Sequence, residues 1–186
     1  MFLVFDTETT GLPRSFSASI TDLDNWPRVV QLAWQLYDAN GNLSQDENFI
    51  ILPDGFTIPE AAAKIHGITT ERAICEGVPL ERALLGFAGA LKSARVLVAH
   101  NIEFDTPIVQ AEFLRLRLPP AFGAQTRVCT MKSSTKFCGK WPKLAQLHSK
   151  LFGCDFEGAH DAKVDVAICA KCFFELRKRG IIDTRS

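Results

Sequence analysis

The N-terminal stretch of the chain restricts the fold more than any other part of the sequence. Residues 2–5, Phe-Leu-Val-Phe, form an unbroken apolar run typical of a β-strand covered on both faces, and two carboxylates follow at Asp6 and Glu8. Because side chains alternate along a strand, Asp6 and Glu8 should share one face, with Cα atoms about 6.6 Å apart, while Thr7 points to the other. Two acids at the end of a buried strand are unfavourable unless they reach solvent or a positive group lies between them. A hard divalent cation is the positive group that carboxylate oxygens suit best.

The length and composition indicate one domain with a sizeable core. The chain has 186 residues, of which 47% are hydrophobic, so we expect a single domain over residues 1–186 with its core over about 2–179. Apolar runs are short and interrupted by charge, and the N-terminus enters a strand at once. We therefore expect no membrane span, no signal peptide and a cytoplasmic location.

The charge balance and the cysteines exclude some classes of protein. Lysine plus arginine and aspartate plus glutamate both number 21, so the chain lacks the basic excess of a protein that coats long nucleic acids. An enzyme that holds a few nucleotides remains compatible, because acids at a metal site cancel bases elsewhere in the count. The six cysteines are expected to be reduced, and Cys169 and Cys172 are expected to pack in the core rather than bind zinc.

Sequence periodicity predicts an antiparallel meander followed by alternating helices and strands. Strands are predicted over residues 2–5 and the acids that follow, 29–37, 43–52, 96–99 and 127–131. Helices are predicted over 59–66, 79–92, 107–118 (closed by Pro119-Pro120), 143–152 and 161–179. Residues 14–26 are predicted to form a loop. This order indicates an α/β fold with a mixed five-stranded sheet and helices on both faces.

Two acids later in the chain follow the same logic. Asp105 follows a predicted strand and directly precedes a plausible helix start, where it would either cap that helix or join the first acids. Asp165 lies one turn inside the last helix, on the same face as its natural N-cap Asp161, and would otherwise be a solvated helix acid. His160, just before that helix, is either a surface residue or a general base near neutral pH. Together these groups would hold two Mg²⁺ or Mn²⁺ ions about 3.5–4 Å apart, an arrangement suited to phosphodiester hydrolysis by in-line attack.

Three segments, over residues 5–12, 100–105 and 160–165, resemble the three motifs of the DEDDh, or DnaQ-like, 3′–5′ exonuclease family, in the family's order. They read Phe-Asp-Thr-Glu-Thr-Thr-Gly-Leu, His-Asn-Ile-Glu-Phe-Asp and His-Asp-Ala-Lys-Val-Asp. The resemblance runs from residue 2 to about 176. It implies a ribonuclease H-like fold and two-metal removal of nucleoside 5′-monophosphates from the 3′ ends of single-stranded or frayed DNA. The implied metal ligands are Asp6, Glu8, Asp105 and Asp165, and the implied general base is His160.

The resemblance further implies substrate-binding residues beside the metal site. They would line the pocket of the terminal nucleotide or support its sugar: Thr9, Thr10, Gly11, Leu12, Ile65, His66, His100, Asn101 and Phe104. Apolar wedges and flat rings hold a base without reading its identity, although ordinary packing would equally explain His66 and Phe104. A basic run beside two aromatic rings is either a path for the phosphate backbone or a solvated loop: Lys132, Lys136, Lys140 and Lys143, with Phe137 and Trp141.

Three other functions stay open on the sequence alone. RNA 3′-end trimming, as by ribonuclease T or oligoribonuclease, uses the same chemistry, and no residue reads a 2′-hydroxyl unambiguously. A mainly binding role in association with a DNA polymerase is implied by the family's proofreading subunit of DNA polymerase III. That subunit carries a polymerase-holding tail, whereas only residues 181–186 follow the last predicted helix here. An HD-type phosphohydrolase, suggested by His160-Asp161, would be all helical.

Overall fold

The computed structural model describes residues 1–119 and 122–184, and in that part of the chain it shows a five-stranded sheet with eight helices. The strands are β1 (Phe2–Thr9), β2 (Val29–Tyr37), β3 (Leu43–Ile50), β4 (Val96–Ala99) and β5 (Thr126–Cys129). The helices are α1 (Glu60–His66), α2 (Thr70–Glu76), α3 (Leu80–Ser93), α4 (Ile102–Arg115), α5 (Thr130–Ser133), α6 (Thr135–Cys138), α7 (Leu144–Phe152) and α8 (Ala162–Lys178).

The sheet has the strand order β3-β2-β1-β4-β5, with β1 at its centre. β1, β2 and β3 form the predicted antiparallel meander, while β4 pairs parallel with both β1 and β5. The predicted mixed five-stranded sheet is therefore confirmed. Because β1, β4 and β5 run in the same direction, their carboxyl ends meet at one edge, and chain segments that leave these strands come together there.

The sheet separates two apolar cores, and β1 contributes to both by alternation. Leu3 and Phe5 pack into the core formed with α3 and α4, whereas Phe2 and Val4 pack into the core formed with α7 and α8. All four side chains are buried. Burial of an apolar side chain of this size is worth about 1.5–3 kcal/mol, so the alternation fixes the face on which each later residue of β1 lies.

The start of α4 corrects a prediction. This helix begins at Ile102 rather than at Pro107, and Pro107 lies inside it. The prediction rested on the preference of proline for the first turn of a helix. Asn101 adopts the left-handed conformation at φ 77°, which turns the chain from β4 directly into the helix. As a result Asp105 is a buried residue within the first turns of α4 and does not cap the helix from outside.

The other predicted elements are confirmed with small shifts at their ends. β3 stops at Ile50, because Ile51 pairs instead with Val78 in an isolated parallel bridge. β5 ends at Cys129, because the chain turns there into the short helix α5. Pro120, which was expected to help close α4, lies outside the described residues, as do the last two residues of the expected C-terminal segment 181–186.

α1 and α2 form a small layer over one end of β2. α2 was not among the predicted helices. It begins after Thr69, whose side chain accepts the Arg72 N–H. A satellite apolar cluster joins this layer to β2: Val30, Ile58, Ala62, Ile68 and Ala73. The layer places α1 beside the carboxyl end of β1, where it forms a wall of a cavity described below.

The cysteines are free thiols, and Cys169 and Cys172 lie on the buried face of α8, as predicted for core packing. None of the helices in the described part of the chain combines the length and the apolar character needed to cross a bilayer.

Candidate active site

The predicted acids meet at the sheet edge where β1 and β4 end. β1 carries Asp6 and Glu8, the start of α4 carries Asp105, and the first turn of α8 carries Asp165. These four carboxylates and His160 line one cavity of about 620 Å³. The fold therefore gathers groups from three elements that are distant along the chain.

α4 is attached to β1 through the residue between the two strand acids. The backbone N–H and the hydroxyl of Thr7 both donate to Asp105 Oδ1. Thr7 is buried on the α4 side of the sheet, opposite to Asp6 and Glu8, as strand alternation predicts. The alternation thus serves two purposes, since one face of β1 presents acids and the other holds a third acid in place.

The N-terminus of α8 is attached to β2 by Gln31. The Gln31 side chain donates to Asp161 Oδ1 at 2.9 Å and accepts the Ala162 N–H at 3.1 Å. Asp161 is the N-cap of α8, as predicted, and its side chain accepts the Lys163 N–H. These bonds fix the first turn of α8 over the sheet, and Asp165 lies in that turn.

His160 lies in the approach to α8 with a left-handed backbone, at φ 69°. Its N–H donates to Asp165 Oδ2 at 3.1 Å, and its side chain is exposed. One oxygen each of Glu8 and Asp165 and a ring nitrogen of His160 lie within 4.8 Å of one another. The imidazole is therefore held beside the acids while it keeps access to solvent.

Burial and mutual repulsion disfavour the charged forms of these acids. Burial, and then the charges of the neighbouring acids, raise the pKa of Asp6 well above its usual value. Burial, followed by the charge of Asp165, raises the pKa of Glu8 to about 8. Burial also raises the pKa of Asp105 to about 7, although the two hydrogen bonds from Thr7 act in the opposite direction. The pKa of Asp165 is raised by burial as well. A bound cation would relieve this repulsion.

Asp165 gives a direct indication that a cation fits here. Its Oδ1 is buried and has no hydrogen-bond partner among the described residues. A buried carboxylate oxygen without a hydrogen-bond partner destabilises the folded protein. A bound metal ion would supply the missing partner. Carboxylate oxygens are the protein ligands that Mg²⁺ and Mn²⁺ favour. The residues present therefore fit the divalent ions that the resemblance implies.

A second cavity, of about 290 Å³, adjoins the first and shares Thr7, Glu8, Leu12 and Phe104 with it. Every predicted substrate-binding residue lines at least one of the two cavities. The second cavity is lined by Thr9, Thr10, Gly11, Leu12, Ile65, His66 and Phe104, and the first by His100, Asn101 and again Phe104. The exposed fractions of Leu12 and Ile65 are 75% and 61%, so apolar side chains face an open groove beside the acids.

The two histidines in this set are held by the protein in different ways. His66 is buried, and its Nδ1 accepts the Ile68 N–H. His100 is engaged at both ring nitrogens: Nε2 donates to the Pro142 carbonyl at 3.0 Å, and Nδ1 accepts from the Thr130 hydroxyl at 2.9 Å. Burial lowers the pKa of both rings, which favours neutral imidazoles. His100 therefore joins the end of β4 to the segment after α6.

Sequence reasoning assigned no role to Thr7 or Gln31. Thr7 carried no signal of its own, because threonine is common in strands. Gln31 did carry one, since a polar residue in an otherwise apolar strand must find hydrogen-bond partners when it is buried, and only 3% of Gln31 is exposed. One partner, Asn48, lies on the neighbouring strand β3. The other two, Asp161 and Ala162, lie at the start of α8, far along the chain, and could not be identified from the pattern.

The fold and the site define a class of protein. Acids from the end of a central strand, from the helix after β4 and from the last helix, with a histidine before that helix, form a carboxylate site on a ribonuclease H-like sheet. A family model described as the RNase_T exonuclease matches residues 3–173, and the chain belongs to this family of DnaQ-like 3′–5′ exonucleases. The HD-type alternative is wrong, because the acids lie at the edge of a β-sheet.

The curated relatives of the chain include proteins named as DNA polymerase III. The chain is 27% identical over 183 residues to the DNA polymerase III subunit epsilon of Treponema pallidum, covering 92% of this chain and 74% of that protein. It is 29% identical over 189 residues to the PolC-type DNA polymerase III of Streptococcus pneumoniae, covering 98% of this chain but only 12% of that protein.

Solved structures of Exonuclease I from E. coli share the fold. A complex with a dT13 oligonucleotide superposes with a TM-score of 0.75 at 22% identity, over 95% of this chain and 40% of that chain. A zinc-bound complex with single-stranded DNA superposes with a TM-score of 0.76 at 21% identity, over 96% of this chain and 40% of that chain. These likenesses confirm the predicted ribonuclease H-like fold.

Proposed function

We propose that the chain is a divalent-metal-dependent 3′–5′ exonuclease that releases nucleoside 5′-monophosphates from single-stranded or frayed 3′ ends of DNA. One observation carries the proposal: four carboxylates with raised pKa values converge beside an apolar groove, and one of their buried oxygens has no partner among the described residues. Such a site could bind a phosphate of the strand through cations, while the neighbouring base lies in the apolar groove.

The metal ligands in this proposal are Asp6, Glu8, Asp105 and Asp165, and the ions are two Mg²⁺ or Mn²⁺. When bound, such ions polarise the phosphoryl oxygen, lower the pKa of water and stabilise the leaving oxygen. Thr7 and Gln31 hold two of these ligands through α4 and α8. The chain's own contribution is to keep the four carboxylates oriented before the substrate arrives.

His160 is proposed to remove the proton from the attacking water. Its side chain is exposed and lies beside Glu8 and Asp165, so it can take a proton in the site and release it to solvent. The terminal base is proposed to lie between Leu12, Ile65 and Phe104. These side chains contact it by packing alone, which explains how one site would accept each of the four bases in turn.

A polarity and product assay tests this function. A 5′-labelled single-stranded DNA should be shortened stepwise from its 3′ end in Mg²⁺ and remain intact in EDTA, with mononucleotides as products. Asp165→Asn should be inactive, while Asp155→Asn, a matched change at an exposed aspartate, should retain activity. Internal cuts, or degradation from the 5′ end, would contradict the proposal.

Two further arms of the assay address the alternatives. A matched RNA oligomer shows whether the site prefers RNA 3′ ends. The relatives are named as DNA polymerase III proteins, which is consistent with the polymerase association that the family implies. Co-purification with a polymerase from cell extract tests this association separately from catalysis.

A further inference from the structure

We propose that Trp141 forms a second nucleotide subsite, on which the base of the penultimate nucleotide of the bound strand stacks. The proposal rests on the proposed exonuclease function and extends it to the strand upstream of the cleaved bond.

The two cavities at the site set the path of the strand. The smaller cavity is lined by Ile65 and His66, and the larger one contains the acids and is also lined by Trp141, Pro142 and Lys143. The two meet at the lining residues that they share, which include Glu8 and Leu12. The phosphate that is cleaved joins the last two nucleotides. If it lies at the acids and the terminal nucleotide fills the smaller cavity, the penultimate nucleotide must enter the larger one.

Trp141 is unusual among the three tryptophans of the chain because it is exposed. Its exposed fraction is 62%, compared with 4% for Trp26 and 1% for Trp34. An indole ring gains much from burial, so an exposed one at the rim of a binding cavity has a surface to offer a flat ligand. Stacking on an aromatic ring accepts any base, as an enzyme that shortens strands of any sequence requires.

The segment that carries Trp141 is held in place by contacts to the catalytic edge of the sheet. The neighbouring Pro142 is buried, and its carbonyl accepts from His100 Nε2 at 3.0 Å. The Lys143 N–H donates to Gln146 Oε1 at 3.1 Å. His100 follows β4 directly and precedes the helix that carries Asp105. The backbone on either side of this ring is thus fixed relative to the acids before any strand binds.

The charge around Trp141 is complementary to a phosphate backbone. Lys132 Nζ lies 5.9 Å from the centroid of the indole ring, and Lys140 and Lys143 flank the tryptophan with exposed side chains. Lys132 also pairs with Glu103, which orients its amine toward the ring. An aromatic ring bordered by lysines is the arrangement by which single-stranded nucleic acid is bound without sequence preference.

Tryptophan fluorescence reads this subsite directly, because Trp26 and Trp34 are buried. Oligothymidylates with phosphorothioate linkages, which resist hydrolysis, would be titrated into the protein in Mg²⁺. We expect quenching by strands of two or more nucleotides and none by thymidine 5′-monophosphate. Trp141→Phe should remove the quenching while the strand still binds. Equal quenching by the mononucleotide, or no quenching by a strand that binds, would overturn the proposal.

A kinetic comparison tests which base stacks on the ring. Trp141→Ala should raise the KM for a short DNA strand about tenfold, and Trp141→Phe should restore most of this loss. On a strand with an abasic penultimate nucleotide, Trp141→Ala should leave the KM unchanged, because the base that would stack on the ring is already absent. The inhibition constant of thymidine 5′-monophosphate should not change, since this product reaches only the smaller cavity. If Trp141→Ala raises the KM equally for the intact and the abasic strand, Trp141 does not stack on this base.

The outcomes separate this proposal from the proposed function. If the unaltered protein cleaves no strand in Mg²⁺, the exonuclease function itself fails. If the unaltered protein cleaves and Trp141→Ala has the same KM for intact strands, only the second subsite fails.

Discussion

Thr7 donates two hydrogen bonds to the same oxygen of Asp105, from its N–H at 3.1 Å and from its hydroxyl at 2.7 Å. Both bonds reach Oδ1, so Thr7 leaves Oδ2 of Asp105 unoccupied. They also stabilise the ionised form, since both act to lower the pKa of Asp105 against the effect of burial. Thr7 thereby orients an acid of α4 that the proposed function assigns to the metal site.

Replacement of Thr7 by valine should weaken metal binding without unfolding the protein. Valine keeps the shape and the β-propensity of threonine but removes the shorter bond to Asp105. We expect Thr7→Val to require about tenfold more Mg²⁺ for half-maximal activity, the lower range for loss of an outer-shell partner. Thr7→Ser, which keeps the hydroxyl, should need nearly the same Mg²⁺ concentration as the unaltered protein. A Mg²⁺ titration of exonuclease activity distinguishes them, and an unchanged Mg²⁺ requirement in Thr7→Val would contradict this role.

Without metal, the stability of the fold should fall as the pH rises. The folded pKa values of Asp105 and Glu8, about 7 and about 8, exceed those of the unfolded chain, so the folded state holds more protons in the intervening range. Stability is therefore greatest near the unfolded pKa values of about 4 and is lost as the pH rises through the folded values.

Thermal unfolding in EDTA and in Mg²⁺ checks this dependence. We expect the Tm in EDTA to fall by several degrees between about pH 5 and pH 8, and Mg²⁺ to restore it at the higher pH. Glu8→Gln should raise the Tm at pH 8 in EDTA and reduce the stabilisation by Mg²⁺. A Tm in EDTA that rises over this range would show that burial and repulsion do not keep protons on Glu8 and Asp105 in the folded state.

His160 should be needed for catalysis but not for metal binding. His160→Asn is the suitable variant, because asparagine tolerates the left-handed conformation that this position adopts. We expect kcat to fall by about 10²–10⁴-fold, the usual contribution of a general base, with the Mg²⁺-induced rise in Tm retained. If that rise disappears, His160 binds the metal and does not act as the base.

The strand and its acids could be predicted because they depend on local alternation. The run over residues 2–5 fixes which face each following side chain takes, so Asp6, Glu8 and Thr7 lie where the sequence places them. The N-cap of α8 at Asp161 was equally local and was predicted correctly.

The attachments between elements could not be predicted. α4 starts at Ile102 because Asn101 adopts a positive φ, a conformation that the sequence does not specify. The bond between Gln31 and Asp161 spans 130 residues, and such a pairing exists only once β2 and α8 pack together. Sequence motifs identify the acids, whereas tertiary packing decides how each acid is held.

Gln31 should be needed for both stability and turnover. Gln31→Leu leaves the Ala162 N–H and Asp161 without their partner in β2, which should cost about 1–3 kcal/mol of the free energy of unfolding and loosen Asp165. Gln35→Leu is a matched control, because Gln35 is also buried in β2 but bonds to Asp46 and Tyr37 away from the site. Denaturant unfolding and kcat should show two destabilised variants, of which only Gln31→Leu loses activity. Equal kcat values in the two variants would show that Gln31 has no positioning role.

The buried Glu112 should contribute more to stability than any exposed ion pair. Its side chain is 0% exposed, and its Oε1 accepts from Arg28 Nε at 2.9 Å and from the Val29 N–H at 2.9 Å. Arg115 Nη1 lies 3.1 Å from the same oxygen in a second ion pair. The backbone of Arg28 in turn bonds to Thr10, so this network holds the chain that follows the acids of β1.

Glu112→Gln should reduce the free energy of unfolding by about 3 kcal/mol, because two partly buried guanidinium groups lose their counter-charge. This value is at the lower end of the usual cost of breaking a buried ion pair, because Arg28 and Arg115 keep 25% and 15% of their side chains exposed. Glu76→Gln is the control, because its pair with Arg72 is exposed and should be worth less than about 1 kcal/mol. Urea unfolding of both variants measures the difference. Equal losses would mean that the Glu112 network contributes no more to stability than a surface ion pair.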